Sequence, residues 1–379
     1  MFRIGIIGGG QLAGLLAAEV NRQGAVCYSL DPDAASPAVG MGARGIVGHR
    51  HSADDIRRLA EQTDIVTVDL EDINVNALAA LEAEGVTVFP RPATLRNLTN
   101  KLTQKQTLES AGLPTSQFLE VDGSSGDLSQ LGWPVVQKAA TGGYDGRGVV
   151  VLKGPQDLAG RLQVPGFIEA FVPNMTELAV MVARDRHGHV VTWQPVEMEF
   201  DPVGNLLTYL LAPARVEAAV AERAQALACA AVEAFDGVGI FGVEMFLTAG
   251  GDLLINEIAP RTHNSGHYTI DACETSQFLA LYQILADQPL GDTRQHQAAA
   301  MYNVLGEPGY EGETVVEGLD TLAAMDGVHA YLYGKQNCFG LRKMGHVTVT
   351  ADTLQAAISI ADQAKPILKV RGRSPIGRE

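Results

Sequence analysis

The sequence predicts an α/β fold in which an N-terminal, doubly wound parallel sheet is followed by two α+β units. Three observations predict it. Strand and helix signals alternate over the first ninety residues, short strands then surround a Gly-rich turn, and strand-rich stretches flank one long Ala-rich helix further on. A chain of 379 residues is long enough for two or three such packed units.

The N-terminal unit is predicted from short apolar runs that alternate with helical stretches. The predicted strands are 2–7, 26–30, 65–68 and 86–89, and the predicted helices are 11–22, 53–61 and 74–83. Strands separated by helices of about ten residues are typical of a parallel sheet covered on both faces. Pro90 and Pro92 then close the unit, which we place at 1–95.

The second unit is placed at 96–180. It opens with one predicted helix, 95–111, which ends at Gly112 with Pro114 just beyond, a common helix stop. Short strands follow around the Gly-rich turn, and 158–162 is predicted as a short helix.

The third unit is placed at 181–379 and ends in a small β subdomain. Its long helix is predicted at 216–235 and a second helix at 354–364, with short strands around them. The basic tail, 371–378, carries no signal for secondary structure.

Composition restricts the partners. The formal net charge is −16, which argues against non-specific binding to nucleic acid or to an anionic membrane surface. No run approaches the roughly 18 apolar residues of a membrane span, and the run 4–7 is too short for a signal peptide. The cysteines are scattered without a CxxC pair, which favours reduced thiols and a cytoplasmic protein.

The first Gly-rich turn, GIIGGGQLAG at 5–14, joins a predicted strand to a predicted helix. Gly8, Gly10 and Ala13 meet the dinucleotide spacing only loosely, although Asp31 stands where a ribose-binding acid would lie. The alternative is a tight turn at which the helix N-terminus holds a substrate phosphate.

A second Gly-rich stretch, KAATGGYDGRG at 138–148, is a stronger signal. Its glycines allow the backbone to approach phosphate oxygens closely, and Lys138 precedes them. Tyr144 and Asp145 add polar groups to what we expect to be a mobile lid over a reactive site. The alternative is an ordinary Gly-rich hairpin.

Two carboxylates form the strongest constellation. Glu244 in GIFGVEMFL and Glu257 in LLINEIAPR interrupt apolar, strand-like runs, with a turn at 250–252 between them. We therefore expect a hairpin that directs both side chains, with Asn256, into one cleft. Such oxygen ligands suit Mg²⁺, although a pair of structural carboxylates is the alternative. The polar run RTHNSGH that follows, 261–267, is typical of an anion-binding loop.

The order of these segments resembles the ATP-grasp family. The chain carries in turn GGGQL, Asp31-Pro32, KAATGGYDGRG, GVEMF, NEIAPRTHNSGHYT, TSQF and YGK followed by RKMGHVT. Within that family the resemblance is to the 5-(carboxyamino)imidazole ribonucleotide synthases, and NEIAPRTHNSGH with RKMGH carries most of it.

The resemblance implies a set of site residues. For the nucleotide these are Lys101, Lys138, Gly142, Gly143, Gly146, Glu169, Ala170, Phe171, Val172, Glu177 and Asn256. For the metal they are Glu244 and Glu257. The implied catalytic residues are Asp145, Arg261, His263 and Lys335, and the implied substrate-binding residues are Glu71, Tyr144, Arg147, Asn264, Ser265, Arg342 and Lys343.

The resemblance also implies an activity. The family uses MgATP and bicarbonate to make carboxyphosphate, and then carboxylates aminoimidazole ribonucleotide. It further implies a homodimer. Departures from the family pattern fall at Val68, Thr141, Phe200 and Phe339, and they concern substrate binding rather than the metal. The alternatives are a sister ATP-grasp ligase that activates another carboxylate, and a non-catalytic nucleotide-binding protein.

Overall fold

The structure is a computed structural model that describes residues 1–122, 128–142, 148–201 and 206–375, and only the backbone of Ser129. The strands are β1 (Arg3–Ile7), β2 (Val26–Asp31), β3 (Arg44–Val47), β4 (Ile65–Val68), β5 (Phe118–Asp122), β6 (Val135–Ala139), β7 (Val149–Leu152), β8 (Pro165–Ala170), β9 (Thr176–Arg184), β10 (Val190–Thr192), β11 (Val196–Phe200), β12 (Leu207–Ala212), β13 (Gly239–Leu247), β14 (Leu253–Ala259), β15 (Ala298–Leu305), β16 (Tyr310–Glu317), β17 (Val328–Leu332), β18 (Asn337–Phe339), β19 (Lys343–Ala351) and β20 (Lys369–Pro375).

The helices in the same ranges are α1 (Gln11–Arg22), α2 (Pro37–Gly40), α3 (Ala53–Ala60), α4 (Val75–Ala83), α5 (Pro92–Leu98), α6 (Lys101–Ser110), α7 (Ala218–Ala234), α8 (Thr269–Ala272), α9 (Gln277–Leu285), α10 (Leu319–Ala323) and α11 (Leu354–Ala364). Short 3-10 turns lie at Leu128–Leu131, Pro155–Gly160 and Asn264–Gly266. The helix predicted at 158–162 is therefore a 3-10 turn that begins earlier.

The N-terminal sheet is parallel, as predicted, and its strands lie in the order β3-β2-β1-β4. Side chains of β1 alternate between its faces, so that Ile4 and Ile6 pack in the cluster of α1 while Ile7 packs in that of α3. The predicted strand 86–89 was wrong in extent, since it contributes only a single bridge between Val66 and Val88. The short α2 and β3 were not predicted.

The small sheet is antiparallel, in the order β5-β8-β6-β7. It is reached through α5 and α6, which replace the single helix predicted at 95–111. The break falls at Asn100, whose side-chain oxygen accepts from the backbone N–H groups of Leu102 and Thr103, at 3.0 Å each. An N-cap of this kind starts a new helix and so interrupts the predicted one.

The large sheet runs β14-β13-β9-β11-β12-β15-β19-β17, with β10 paired to β9. Helix α7 packs on one face, and α9 packs with α1 on the other, which brings the first glycine turn next to the large sheet. The tail was predicted without structure, and this was wrong up to Pro375: β20 pairs with β16 in a fourth sheet, β18-β16-β20. Arg371 there forms an ion pair with Glu317.

No helix in the described parts of the chain is both long and apolar enough to cross a membrane. The division into units at 1–95, 96–180 and 181–379 stays a prediction.

Candidate active site

Glu244 and Glu257 lie directly opposite each other on β13 and β14, in the hairpin that the sequence predicted. Burial, followed by the charges of Glu257 and Glu177, raises the pKa of Glu244 to about 7. Lys101 forms an ion pair with Glu257. Burial and neighbouring negative charges both disfavour the ionised form of Glu244. A cation bound beside it would therefore be stabilised by these carboxylates.

The donor set at this pair consists of hard oxygen atoms, which suit Mg²⁺. No group of three or more His, Cys, Asp or Glu side chains that could hold a metal ion occurs among the residues described. Glu244 and Glu257 would hold such an ion, since Mg²⁺ in nucleotide sites is commonly bound through one or two carboxylates.

The second feature is a buried ion-pair cluster on the small sheet. Lys138 donates from Nζ to Glu169, 2.6 Å away, and to Oδ1 of Asn256, 2.8 Å away. Lys105 lies 2.8 Å from the other oxygen of Glu169, which also accepts from Ser116 at 2.6 Å. Burial alone would raise the pKa of Glu169, but the two lysines outweigh it and lower the pKa to about 2.

This cluster links three predicted nucleotide-site residues, Lys138, Glu169 and Asn256. Because Asn256 adjoins Glu257, the bond from Lys138 fixes the distance between the small sheet and the carboxylate pair. The carboxylate of Glu169 is directed at lysines, so it supports Lys138 rather than facing open space. Lys105 and Ser116 are functional candidates that the sequence prediction missed.

The polar loop 261–267 is the third feature. Arg261 reaches Glu71 of the N-terminal unit at 2.9 Å. Burial disfavours the charge of Arg261, but Glu71 and Asp69 outweigh it and raise its pKa above the ordinary value. Asn264 directs a buried Oδ1 that accepts no hydrogen bond from any residue in the described ranges.

His263 lies between this loop and the carboxylate pair. Its Nε2 is 3.7 Å from Glu244, and its Nδ1 is 2.6 Å from the hydroxyl oxygen of Ser265. Burial, with the positive charges of Arg261 and Lys343, lowers the pKa of His263 well below its usual value. The ring is therefore neutral at physiological pH.

The first glycine turn is already occupied by the chain's own carboxylates. Asp69 accepts from the N–H groups of Gly10 and Ala13, at 2.8 Å each, and Asp31 accepts from that of Gly9 at 2.9 Å. These backbone N–H groups at the N-terminus of α1 therefore already have acceptors within the chain. The interpretation of Asp31 as a ribose-binding acid is not supported, because its oxygens are bound to backbone.

A cavity of about 290 Å³ opens beside this turn. Lys335 and Arg342 line it from the C-terminal side, opposite Gly9 and Gly10. Lys335 donates to the side-chain oxygen of Gln11 at 3.0 Å and to the carbonyl of Lys343 at 2.6 Å.

Phe339, which stands where the family pattern has a basic residue, lies under the Arg342 guanidinium, 5.2 Å from ring centre to Cζ. This cation–π contact orients Arg342.

Of the remaining predicted residues, some lie within the described ranges and the others lie outside them. Glu177 lies on β9, and burial raises its pKa while Lys138 acts in the opposite direction. Gly142 has φ +73°, a conformation that a side chain disfavours. Ala170 ends β8, and Phe171 and Val172 follow it directly. The predicted residues Gly143, Tyr144, Asp145, Gly146 and Arg147 lie outside the described ranges.

Known protein families match the chain over three successive ranges. Residues 1–98 match the family model of the ribonucleotide synthetase preATP-grasp domain, residues 106–278 that of the ATP-grasp domain, and residues 299–359 that of the phosphoribosylaminoimidazole carboxylase C-terminal domain. The chain is 39% identical over 354 residues to the N5-carboxyaminoimidazole ribonucleotide synthase of Synechococcus elongatus, covering 91% of this chain and 89% of that protein.

Two solved structures are similar over their whole length. The N5-carboxyaminoimidazole ribonucleotide synthetase from Thermotoga maritima gives a TM-score of 0.91 at 40% identity, with 98% of this chain and 100% of that chain covered. The N5-carboxyaminoimidazole synthase from Aspergillus clavatus, in complex with ADP and 5-aminoimidazole ribonucleotide, gives 0.87 at 31% identity, with 97% and 98% covered.

The three-part architecture, with the lysines and carboxylates at the junction of the small and large sheets, defines the class as an ATP-grasp enzyme. The relatives narrow that class. The chain belongs to the N5-carboxyaminoimidazole ribonucleotide synthase family.

Proposed function

We propose that this enzyme carboxylates 5-aminoimidazole ribonucleotide with bicarbonate and ATP, in purine biosynthesis. The products are N5-carboxyaminoimidazole ribonucleotide, ADP and phosphate. One observation carries the proposal: the loop 261–267 joins a nucleotide-type site at Glu244 to the N-terminal acid Glu71. A phosphoryl donor and a second substrate would thus meet at this loop.

The nucleotide side is assigned to groups that suit a polyphosphate. Lys101 and Lys138 would bind phosphate oxygens, and Glu244 and Glu257 would hold Mg²⁺. When bound, Mg²⁺ neutralises the charge of the phosphates during phosphoryl transfer. The segment Glu169–Val172 would contact the base through its backbone and the half-exposed Phe171, and Glu177 would accept from the ribose hydroxyls.

The ribonucleotide side is assigned to the cavity of Lys335 and Arg342. The planar guanidinium of Arg342, oriented by Phe339, would bind the substrate phosphate. Glu71, Asn264 and Lys343 would complete the contacts, together with Ser265, Tyr144 and Arg147. Arg261, between the two sides, would hold the negative charge of bicarbonate.

The chemistry consists of two displacements. An oxygen of bicarbonate attacks the γ-phosphorus of ATP, the bond to ADP breaks, and carboxyphosphate forms. The exocyclic amine of the ribonucleotide then attacks the carboxyl carbon and loses a proton, and phosphate leaves. Arg261 and the neutral His263 would stabilise the developing charge as hydrogen-bond donors. Lys335 and Asp145 are proposed to assist at the ribonucleotide. A homodimer and a cytoplasmic location stay predictions.

The test is phosphate release from ATP, measured with and without aminoimidazole ribonucleotide and bicarbonate. We expect full rate only when both are present, and a loss of about 100-fold or more in Glu257→Gln, which removes a charge from the metal site while preserving its size. Glu109→Gln, an exposed change on α6, is the matched control. A rate of phosphate release that does not depend on either substrate, or a fully active Glu257→Gln, would contradict the proposal.

A further inference from the structure

A buried glutamine holds the backbone just after Glu257. Oε1 of Gln104 accepts from the N–H of Ile258 at 2.8 Å, and its Nε2 donates to the carbonyl of the same residue at 3.1 Å. We call this two-point pairing of one side-chain amide with one residue's backbone an amide clamp. Since β14 is at the end of the large sheet, no strand of the described part of the chain pairs with the outward groups of Ile258. Gln104, only 3% exposed, takes that place.

A second amide clamp holds the other end of the segment. Oε1 of Gln277 accepts from the N–H of His263 at 2.8 Å, and Nε2 donates to the His263 carbonyl at 2.9 Å. The remaining Nε2 proton is directed at Nδ1 of His267, 3.2 Å away. Gly266 is needed for this approach, because a Cβ there would lie 2.5 Å from Oε1 of Gln277.

The two clamps enclose the residues to which the proposed function assigns most of the chemistry. The ladder of β14 with β13 ends at Ala259, so Arg261 and His263 are beyond the support of the sheet. Pro260, which precedes Arg261, has no N–H to donate. The backbone of His263 is therefore positioned by Gln277, as that of Ile258, next to Glu257, is by Gln104.

We infer that Gln104 and Gln277 are positioning residues that fix the segment 257–263 between the metal carboxylate and the anion-binding side chains. This inference rests on the proposed function for what Glu257, Arg261 and His263 do. Replacing outer-shell groups of this kind commonly lowers activity or metal affinity by about 10- to 100-fold. A shift of the reacting groups is enough to cause such losses.

The chain supplies its own matched control. Gln137 is fully buried and forms the same clamp with Leu162, accepting from its N–H at 2.9 Å and donating to its carbonyl at 3.0 Å. Leu162 carries no group that the proposed function uses. Replacing each glutamine by methionine keeps length and volume and removes the two hydrogen bonds of its clamp, together with the further Nε2 contacts of Gln104 with the Leu98 carbonyl and of Gln277 with His267. All three variants should therefore lose stability, and only Gln104→Met and Gln277→Met should lose function.

The experiment compares Gln104→Met, Gln277→Met and Gln137→Met at equal folded fraction, set from their urea midpoints. Titration calorimetry gives the Kd for MgADP, and coupled assays give kcat, KM and carboxylated product per phosphate. We expect roughly 10- to 100-fold weaker MgADP binding in Gln104→Met. In Gln277→Met we expect a fall of similar size in kcat and less product per phosphate, with MgADP affinity kept. Gln137→Met should stay within about twofold of wild type.

Should Gln277→Met not fold, Gln277→Glu is the second variant, since it keeps the acceptor for the His263 N–H and removes the donor. A kcat in that variant equal to wild type would overturn the inference, as would Gln104→Met and Gln277→Met that lose no more function than Gln137→Met. Calorimetry distinguishes a failure of the clamp inference from a failure of the proposed function. If phosphate release by wild type did not depend on aminoimidazole ribonucleotide, the proposed function would be rejected. The Kd values of Gln104→Met and Gln137→Met for MgADP would still show whether the Gln104 clamp positions the nucleotide site.

Discussion

Replacing Glu169 by glutamine tests the ion-pair cluster under the nucleotide site. The carboxylate is only 3% exposed, with Lys105 at 2.8 Å and Lys138 at 2.6 Å. Burial would raise its pKa, yet the lysines lower it to about 2, from an ordinary 4.5. Since each unit of pKa corresponds to about 1.4 kcal/mol, the ionised carboxylate contributes on the order of 3 kcal/mol to the free energy of unfolding.

This contribution has a defined pH window. A carboxylate with a lowered pKa stabilises the fold above its ordinary pKa of 4.5, and the stabilisation is lost as the pH falls toward 2. At pH 3.5 about 1.4 kcal/mol of it is gone. Glu169→Gln should be less stable than wild type at pH 7 by about 3 to 5 kcal/mol, because two lysines lose their counter-charge. That gap should narrow by about 1.4 kcal/mol between pH 7 and pH 3.5.

Urea unfolding followed by circular dichroism at the two pH values measures the gap. Glu120→Gln is the control, since Glu120 is an exposed carboxylate on the neighbouring strand β5; its difference from wild type should stay small at both pH values. An equal loss of stability with pH in wild type and Glu169→Gln would refute the reasoning.

Further predictions concern three other positions. Arg342→Ala should weaken aminoimidazole ribonucleotide binding by roughly 2 to 4 kcal/mol and leave MgADP affinity unchanged, as measured by calorimetry; equal losses for both ligands would contradict the pocket assignment. Asp69→Ala should lower the free energy of unfolding by about 1 to 2 kcal/mol, because the first turn of α1 loses its acceptor, whereas Asp69→Asn should lose less; equal losses in urea titrations would exclude a capping role. Gly142→Ala should cost about 1 to 2 kcal/mol of stability through its positive φ, since no atom of the described residues lies within 4 Å of its added Cβ, and an unchanged urea midpoint would contradict this.

The parts of the fold that follow local patterns could be predicted from the sequence. The parallel sheet comes from strands and helices close together in the chain, and each shows its own periodicity. The hairpin of Glu244 and Glu257 was predictable because charged residues interrupt apolar runs, which is costly without a purpose. The break at Asn100 was missed because a capping side chain within a helical pattern is a weak signal.

Residues that depend on distant partners could not be found in this way. Lys105 belongs to a helix with many polar residues and is buried only because Glu169, far along the chain, lies against it. Gln277 gives no sign in sequence that it pairs with the backbone of His263. The tail strand β20 is polar, and its structure comes from pairing with β16. The contact of Asp69 with the first glycine turn could not be predicted, because Asp69 lies about sixty residues away in the chain.

The most direct test of the account follows an oxygen atom. Bicarbonate labelled with ¹⁸O is incubated with the enzyme, MgATP and aminoimidazole ribonucleotide, and the phosphate released is analysed by mass spectrometry before the label exchanges with water. If bicarbonate attacks the γ-phosphorus and the amine then displaces phosphate, one labelled oxygen appears in the phosphate for each carboxylated product. Unlabelled phosphate formed together with carboxylated product would contradict a carboxyphosphate intermediate, and with it the central claim.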